Sequence, residues 1–141
     1  MTASTRVRIS RREGFNSAHQ LRDDALSEDE NRRLYGKCVN VHGHNYVLEV
    51  VVSGAIDPST GYVMDLKRLS DLMNAEIIGD VDHRNLNTDV PWLQGRIPTA
   101  ENLALAFWGQ VEACLRQRSP DCRLQRLRLI ETENNMVEVS R

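Results

Sequence analysis

Cysteine is scarce: only Cys38, Cys114 and Cys122 occur in 141 residues. An odd count excludes a fully paired disulfide framework, and a chain of this length buries roughly 70% of its unfolded surface without one. The first twenty residues contain no apolar run of secretory character, and no stretch approaches the ~20 apolar residues of a membrane span. A reduced, cytoplasmic setting with no membrane partner is the expectation. Aromatic residues make up 5% of the chain, too few for a platform on which bases stack. A surplus of one charge is missing as well. Eighteen Lys and Arg face twenty Asp and Glu, for a net charge of −2, which argues against nucleic acid as a partner. Histidine is limited to His19, His42, His44 and His83, each in a polar or Gly-containing stretch and none inside an apolar helical stripe.

With no linker, repeat or low-complexity tract, the chain reads as one domain over 1–141. Alternation of Val7 and Ile9 with Arg8 and Ser10 predicts a strand over 5–15. Ser27 with Glu30 forms a capping box for a short polar helix that runs to Tyr35 and stops at Gly36. The β-branched run from Asn45 to Ser53 predicts the longest strand, and Asp57-Pro58-Ser59-Thr60-Gly61 supplies a turn behind it. Asp65 can cap a helix whose apolar face is Leu66, Leu69, Leu72, Met73 and Ile77, with Gly79 as its stop. Pro98-Thr99 opens a second helix with Leu103, Phe107, Val111, Cys114 and Leu115 on one face, ended by Ser119-Pro120. Strands over 124–131 and 136–139 close the chain. The order places two amphipathic helices on one face of a four-stranded antiparallel sheet, an α+β fold. Such a sheet has two open edges, and closing several sheets edge to edge removes them, so a homo-oligomer is expected.

His42-Gly43-His44 lies just before the longest strand, and residues two apart on an extended chain face the same way with Cα atoms about 6.7 Å apart. His19, at the end of the first strand, completes a triangle of imidazoles if the two strands pair. Three neutral nitrogen ligands with an open fourth position describe a catalytic zinc site. Cys38, four residues before His42, is either a fourth ligand closing that site or an unligated thiolate with a lowered pKa, and the spacing does not choose between them. Asp82-His83 falls in a loop, where a carboxylate beside an imidazole raises its basicity, or where the pair is a solvated turn. Glu131 ends an apolar strand and needs a partner there, either the paired N–H donors of an aminopyrimidine or the neighbouring Arg126 and Arg128. Thr99 has a role as N-cap without any ligand, and Glu101 follows it in the first turn.

Taken together, Phe15-x-x-x-His19, Gly36-Lys37-Cys38, His42-Gly43-His44-Asn45-Tyr46, Asp57-Pro58-x-Thr60-Gly61, Asp82-His83-x-Asn85-Leu86-Asn87, Pro98-Thr99-x-Glu101-Asn102 and Glu131-Thr132 resemble the family of 6-pyruvoyl- and 6-carboxy-tetrahydropterin synthases over nearly the whole chain. The resemblance implies a tunnelling fold whose trimers close into a barrel and usually stack as hexamers, and 7,8-dihydroneopterin triphosphate as substrate. It implies Zn2+ on His19, His42 and His44, Cys38 as proton acceptor, Asp82 and His83 as a relay, and Glu131 as the anchor of the pterin ring. Thr99 and Glu101 match positions near the pterin pocket. The spacing Cys38-x-x-x-His42-x-His44 resembles the carboxy enzymes of the queuosine pathway, and on that ground the carboxy product is expected. Asn85–Pro91 and Glu131–Asn135 resemble the pyruvoyl enzymes, which make that product the alternative. A third reading, of a different class, is a non-catalytic oligomeric module whose closed zinc site of Cys38 and three His contributes only stability.

Overall fold

A computed structural model describes residues 5–141, so residues 1–4 of the expected domain lie outside the described residues. Strand β1 spans Val7–His19, helix α1 Glu28–Tyr35, strand β2 His42–Gly54, helix α2 Leu66–Met73 and helix α3 Gly79–Val81. Strand β3 is Arg84–Asn85, helix α4 Ala100–Arg118, strand β4 Arg123–Thr132 and strand β5 Asn135–Ser140. The sheet runs β3-β1-β2-β4-β5 and is antiparallel except where β3 pairs in parallel with Ser17 and Ala18 of β1.

One sheet face is apolar, because Phe15, Tyr46, Leu48, Val50, Val52, Leu127 and Leu129 all point to it. Against that face pack Leu69, Met73 and Ile77 from the α2 segment and Leu103, Phe107, Val111 and Leu115 from α4. Each large side chain buried this way contributes roughly 1.5–3 kcal/mol. Cys114 lies buried in α4, as its place in the apolar stripe predicts. The caps are those the sequence predicts. Ser27 accepts from the Glu30 N–H, Asp65 from that of Lys67 and Thr99 from that of Asn102, while Gly36 ends α1 at φ +58°, where only glycine is unstrained.

Three expectations need correction. The sheet has five strands, not four, because Arg84–Asn85 forms a bridge too short to leave a period-2 pattern. Both long strands reach further than predicted, so His19 and His42 lie within the ladder as a directly opposed pair, and Ser17 faces His44. Gly79 does not end the helix. At φ −60° it continues a π-helical turn over Asn74–Ile78 into α3, and the chain leaves helical geometry only at Asp82.

The second sheet face bears no helix. There Glu49, almost buried, accepts from Arg12 at 2.8 Å and faces Arg126 and Arg128 at 3.5 and 3.7 Å, with Glu138 beyond them. Burial pushes the Glu49 carboxyl up, but the three guanidiniums outweigh it and hold it below the usual range. Because β3 covers β1 only at Ser17 and Ala18, most of the outer edge of β1 is open among the described residues, as is that of β5.

Candidate metal centre

The paired ends of β1 and β2 bring three imidazoles together. Ring centroids of His19, His42 and His44 stand 4.6, 5.1 and 5.0 Å apart, and one nitrogen from each lies within 4.8 Å of the other two. Gly43 lets the strands approach here, since a Cβ would come within 3.3 Å of the Ser17 carbonyl oxygen. The tautomers follow from the hydrogen bonds. His19 Nδ1 lies 2.9 Å from the Pro98 carbonyl and His42 Nδ1 lies 2.7 Å from that of Asn40. A carbonyl only accepts, so each Nδ1 carries the proton and each Nε2 presents a lone pair.

His19 Nε2 is buried and has no protein partner. Burial, with His42 and His44 adding to it and the Pro98 carbonyl opposing it, drives the His19 pKa down to about 4. The ring is therefore neutral at pH 7, the form that binds a metal. His44 is also lowered by burial, against the raising influence of Glu131. An orphaned buried nitrogen where three imidazoles converge fits a zinc ion with an open position.

Cys38 does not join this set. It sits in the 3-10 turn Gly36–Val39 with a half-buried free thiol, and its carbonyl accepts the Leu21 N–H at 2.7 Å. Among the described residues the converging group is the three histidines alone, so the one-Cys, three-His site lacks its fourth ligand. Glu131 does reach the centre, with Oε1 3.9 Å from His44 Nε2. Arg126 and Arg128, its alternative partners, pair instead with Glu49 and Glu138. Thr99 adjoins the site through Pro98 and caps α4, whereas Glu101 in the first turn of that helix is exposed.

Asp82 and His83 form a unit on the edge of β1. The Asn16 N–H donates to Asp82 Oδ1 at 2.8 Å, the His83 N–H donates to the Asn16 carbonyl, and His83 Nδ1 lies 3.0 Å from Asp82. These bonds, that of Asn16 foremost, hold the Asp82 carboxyl below its ordinary range. They also hold His83 at φ +60°, a conformation that is strained for a residue with a Cβ. Its side chain is 80% exposed. The pair lies near β1 but does not join the three imidazoles.

Tyr46, which closes the motif His42-Gly43-His44-Asn45-Tyr46 but has no role assigned from sequence, also belongs to the site. Its ring stacks on Phe15 at 4.8 Å and stands edge-on to His44 at 5.5 Å, and its hydroxyl is 3.5 Å from His19 Nδ1. The period-2 rule already implies this, since Tyr46 follows His44 by two on one strand.

A family model described as 6-pyruvoyl tetrahydropterin synthase matches residues 8–141. A relative named 6-pyruvoyl tetrahydrobiopterin synthase, from Dictyostelium discoideum, is 42% identical over 95% of this chain and 96% of its own length. A solved structure of Caenorhabditis elegans 6-pyruvoyl tetrahydropterin synthase covers 99% of both chains with a TM-score of 0.89 at 34% identity. More distant is a putative 6-carboxy-5,6,7,8-tetrahydropterin synthase of Archaeoglobus fulgidus, 32% identical over 74% of this chain and 80% of its own.

Proposed function

Because the chain belongs to the 6-pyruvoyl tetrahydropterin synthase family, we propose that it is a zinc-dependent lyase that converts 7,8-dihydroneopterin triphosphate to 6-pyruvoyl-tetrahydropterin with release of triphosphate. The observation that carries the reading is the buried, unpartnered Nε2 of His19 where the three imidazoles converge. The carboxy product favoured by the short Cys38 spacing gives way here, because the more similar relative bears the pyruvoyl name. A closed structural site is less well supported, since Cys38 stands outside the ligand group.

His19, His42 and His44 would hold the ion, which would supply Lewis-acid polarisation of the substrate's side-chain oxygens. Cys38, as thiolate, would accept a carbon-bound proton. His83, fixed by Asp82, would handle a second proton, so that hydrogen moves from side chain to ring while triphosphate departs. Glu131 would accept the paired N–H donors of the aminopyrimidine, with Thr99 and Glu101 bordering the ring. The open edges of β1 and β5 support a homo-oligomer based on a trimer, with two trimers stacking as a hexamer. Pairing along β1 would set a neighbouring copy beside Asp82 and His83.

Incubation of the purified protein with 7,8-dihydroneopterin triphosphate, with products weighed by mass spectrometry, tests this. A product that keeps all three side-chain carbons and has lost triphosphate is expected. A 6-carboxy product, or unchanged substrate, would overturn the assignment.

A further inference from the structure

The far end of the sheet carries a cleft that the chemistry above does not use. It has a volume of about 600 Å³, larger than the cleft of about 480 Å³ that flanks His19 through Gln20 and Pro98. It opens beside the Gly54 end of β2, and at ~3.3 Å per residue that end lies roughly 40 Å along the strand from His42. A ligand held there touches nothing in the metal centre.

Three guanidiniums line this cleft, those of Arg6, Arg68 and Arg118. Among the described residues none of the three has a carboxylate within 4.0 Å, unlike Arg12, Arg126 and Arg128 on the bare sheet face. Their protein contacts are to carbonyls. Arg6 Nη2 donates to Ser53 and Asp121, and Arg68 Nη2 donates to Arg118 at the end of α4. Those bonds fix the two guanidiniums and leave their other N–H donors available. Two acids also line the cleft. Asp57 already accepts from the Ser59 N–H and hydroxyl, and with Asp121 it leaves the guanidiniums one charge in excess. Ile56, Val63 and Met64 add apolar surface to the lining. A volume in the small-molecule range, guanidiniums without carboxylate partners and apolar lining residues suit an anion joined to a ring.

We propose that this cleft binds a phosphorylated small molecule, with its phosphates on Arg6, Arg68 and Arg118. The proposal does not depend on the lyase reading. Titration calorimetry at low salt, with ATP and with inorganic triphosphate, tests it on wild type, on the Arg68→Gln/Arg118→Gln double variant and on Arg6→Gln. Gln at positions 6 and 68 keeps a donor for the carbonyl contacts, and thermal melting establishes that each variant is folded. Wild type is expected to bind saturably below about 1 mM, more weakly as salt rises. The double variant is expected to bind at least about tenfold more weakly. His42→Ala, which alters only the metal centre, is expected to bind as wild type does. Equal affinity for both probes assigns recognition to the phosphate chain, and preference for ATP brings in the apolar lining; either outcome upholds the site. No binding by wild type, undiminished binding by both arginine variants, or binding lost in His42→Ala would overturn it. Should the double variant fail to fold, Arg6→Gln carries the decision by the same criterion.

Discussion

Burial of His19 makes the metal-free protein sensitive to acid in a way that can be worked out. In the unfolded chain this imidazole titrates near 6.5, and in the fold burial lowers it to about 4. Between those values the unfolded state binds the proton and the folded state does not, so stability rises with pH across the interval and is fully present above 6.5. A fall from 6.5 to about 4 corresponds to about 3 kcal/mol, of which roughly 2 kcal/mol is lost between pH 7 and pH 5. His19→Gln removes the titrating group and keeps a polar side chain of similar reach. Urea denaturation of chelator-treated wild type and His19→Gln, from pH 7.5 to 4.5, should give a wild-type curve that falls more steeply by this amount. With zinc present wild type should be stabilised at pH 7 and the variant should not, if the three histidines are the ligands as proposed. Parallel curves for the two metal-free proteins would refute the claim that His19 is held neutral by burial.

Glu49→Gln removes the one carboxylate that three guanidiniums share on the bare sheet face. Because those guanidiniums are partly exposed and Glu138 still faces two of them, it should cost about 1–3 kcal/mol in urea denaturation. Since the Glu49 carboxyl is held low, the wild-type advantage should be complete above the ordinary carboxylate range and fade as pH falls through it. His83→Gly relieves a residue held at φ +60°, so its melting temperature should equal or exceed that of wild type while turnover falls about 10²–10⁴-fold. A variant less stable than wild type would show that the exposed side chain contributes to the fold instead. Glu131→Ala should weaken pterin binding by about 2–4 kcal/mol in calorimetry, the value of a charge-assisted bidentate contact, and unchanged affinity would remove Glu131 from the ligand pocket.

The parts of the fold legible in the sequence are those where local chemistry and tertiary packing agree. Ser27, Asp65 and Thr99 each cap a helix from the position their hydroxyl or carboxylate predicts, and Cys114 is core because it continues the stripe of Phe107 and Val111. What was not legible depends on partners distant in sequence. Arg84–Asn85 is a strand only because Ser17 and Ala18 lie beside it, and Gly79 stays helical because a π turn precedes it. The histidine triangle could be read from the two-residue spacing of His42 and His44 together with pairing of β1 and β2. Its tautomers could not, because they are set by the carbonyls of Pro98 and Asn40, and a backbone carbonyl has no residue signature. The placement of Cys38 outside the ligand group was likewise undecidable from a four-residue spacing, which suits a ligand and a neighbouring base equally well.

The central claim is that the three histidines alone hold the metal while Cys38 performs the chemistry. A single preparation of Cys38→Ala, measured for zinc content, melting temperature and turnover of 7,8-dihydroneopterin triphosphate, tests it most directly. About one zinc per chain, a melting temperature close to that of wild type and turnover reduced about 10²–10⁴-fold are expected. Zinc lost together with stability would place Cys38 in a closed structural site and contradict the account.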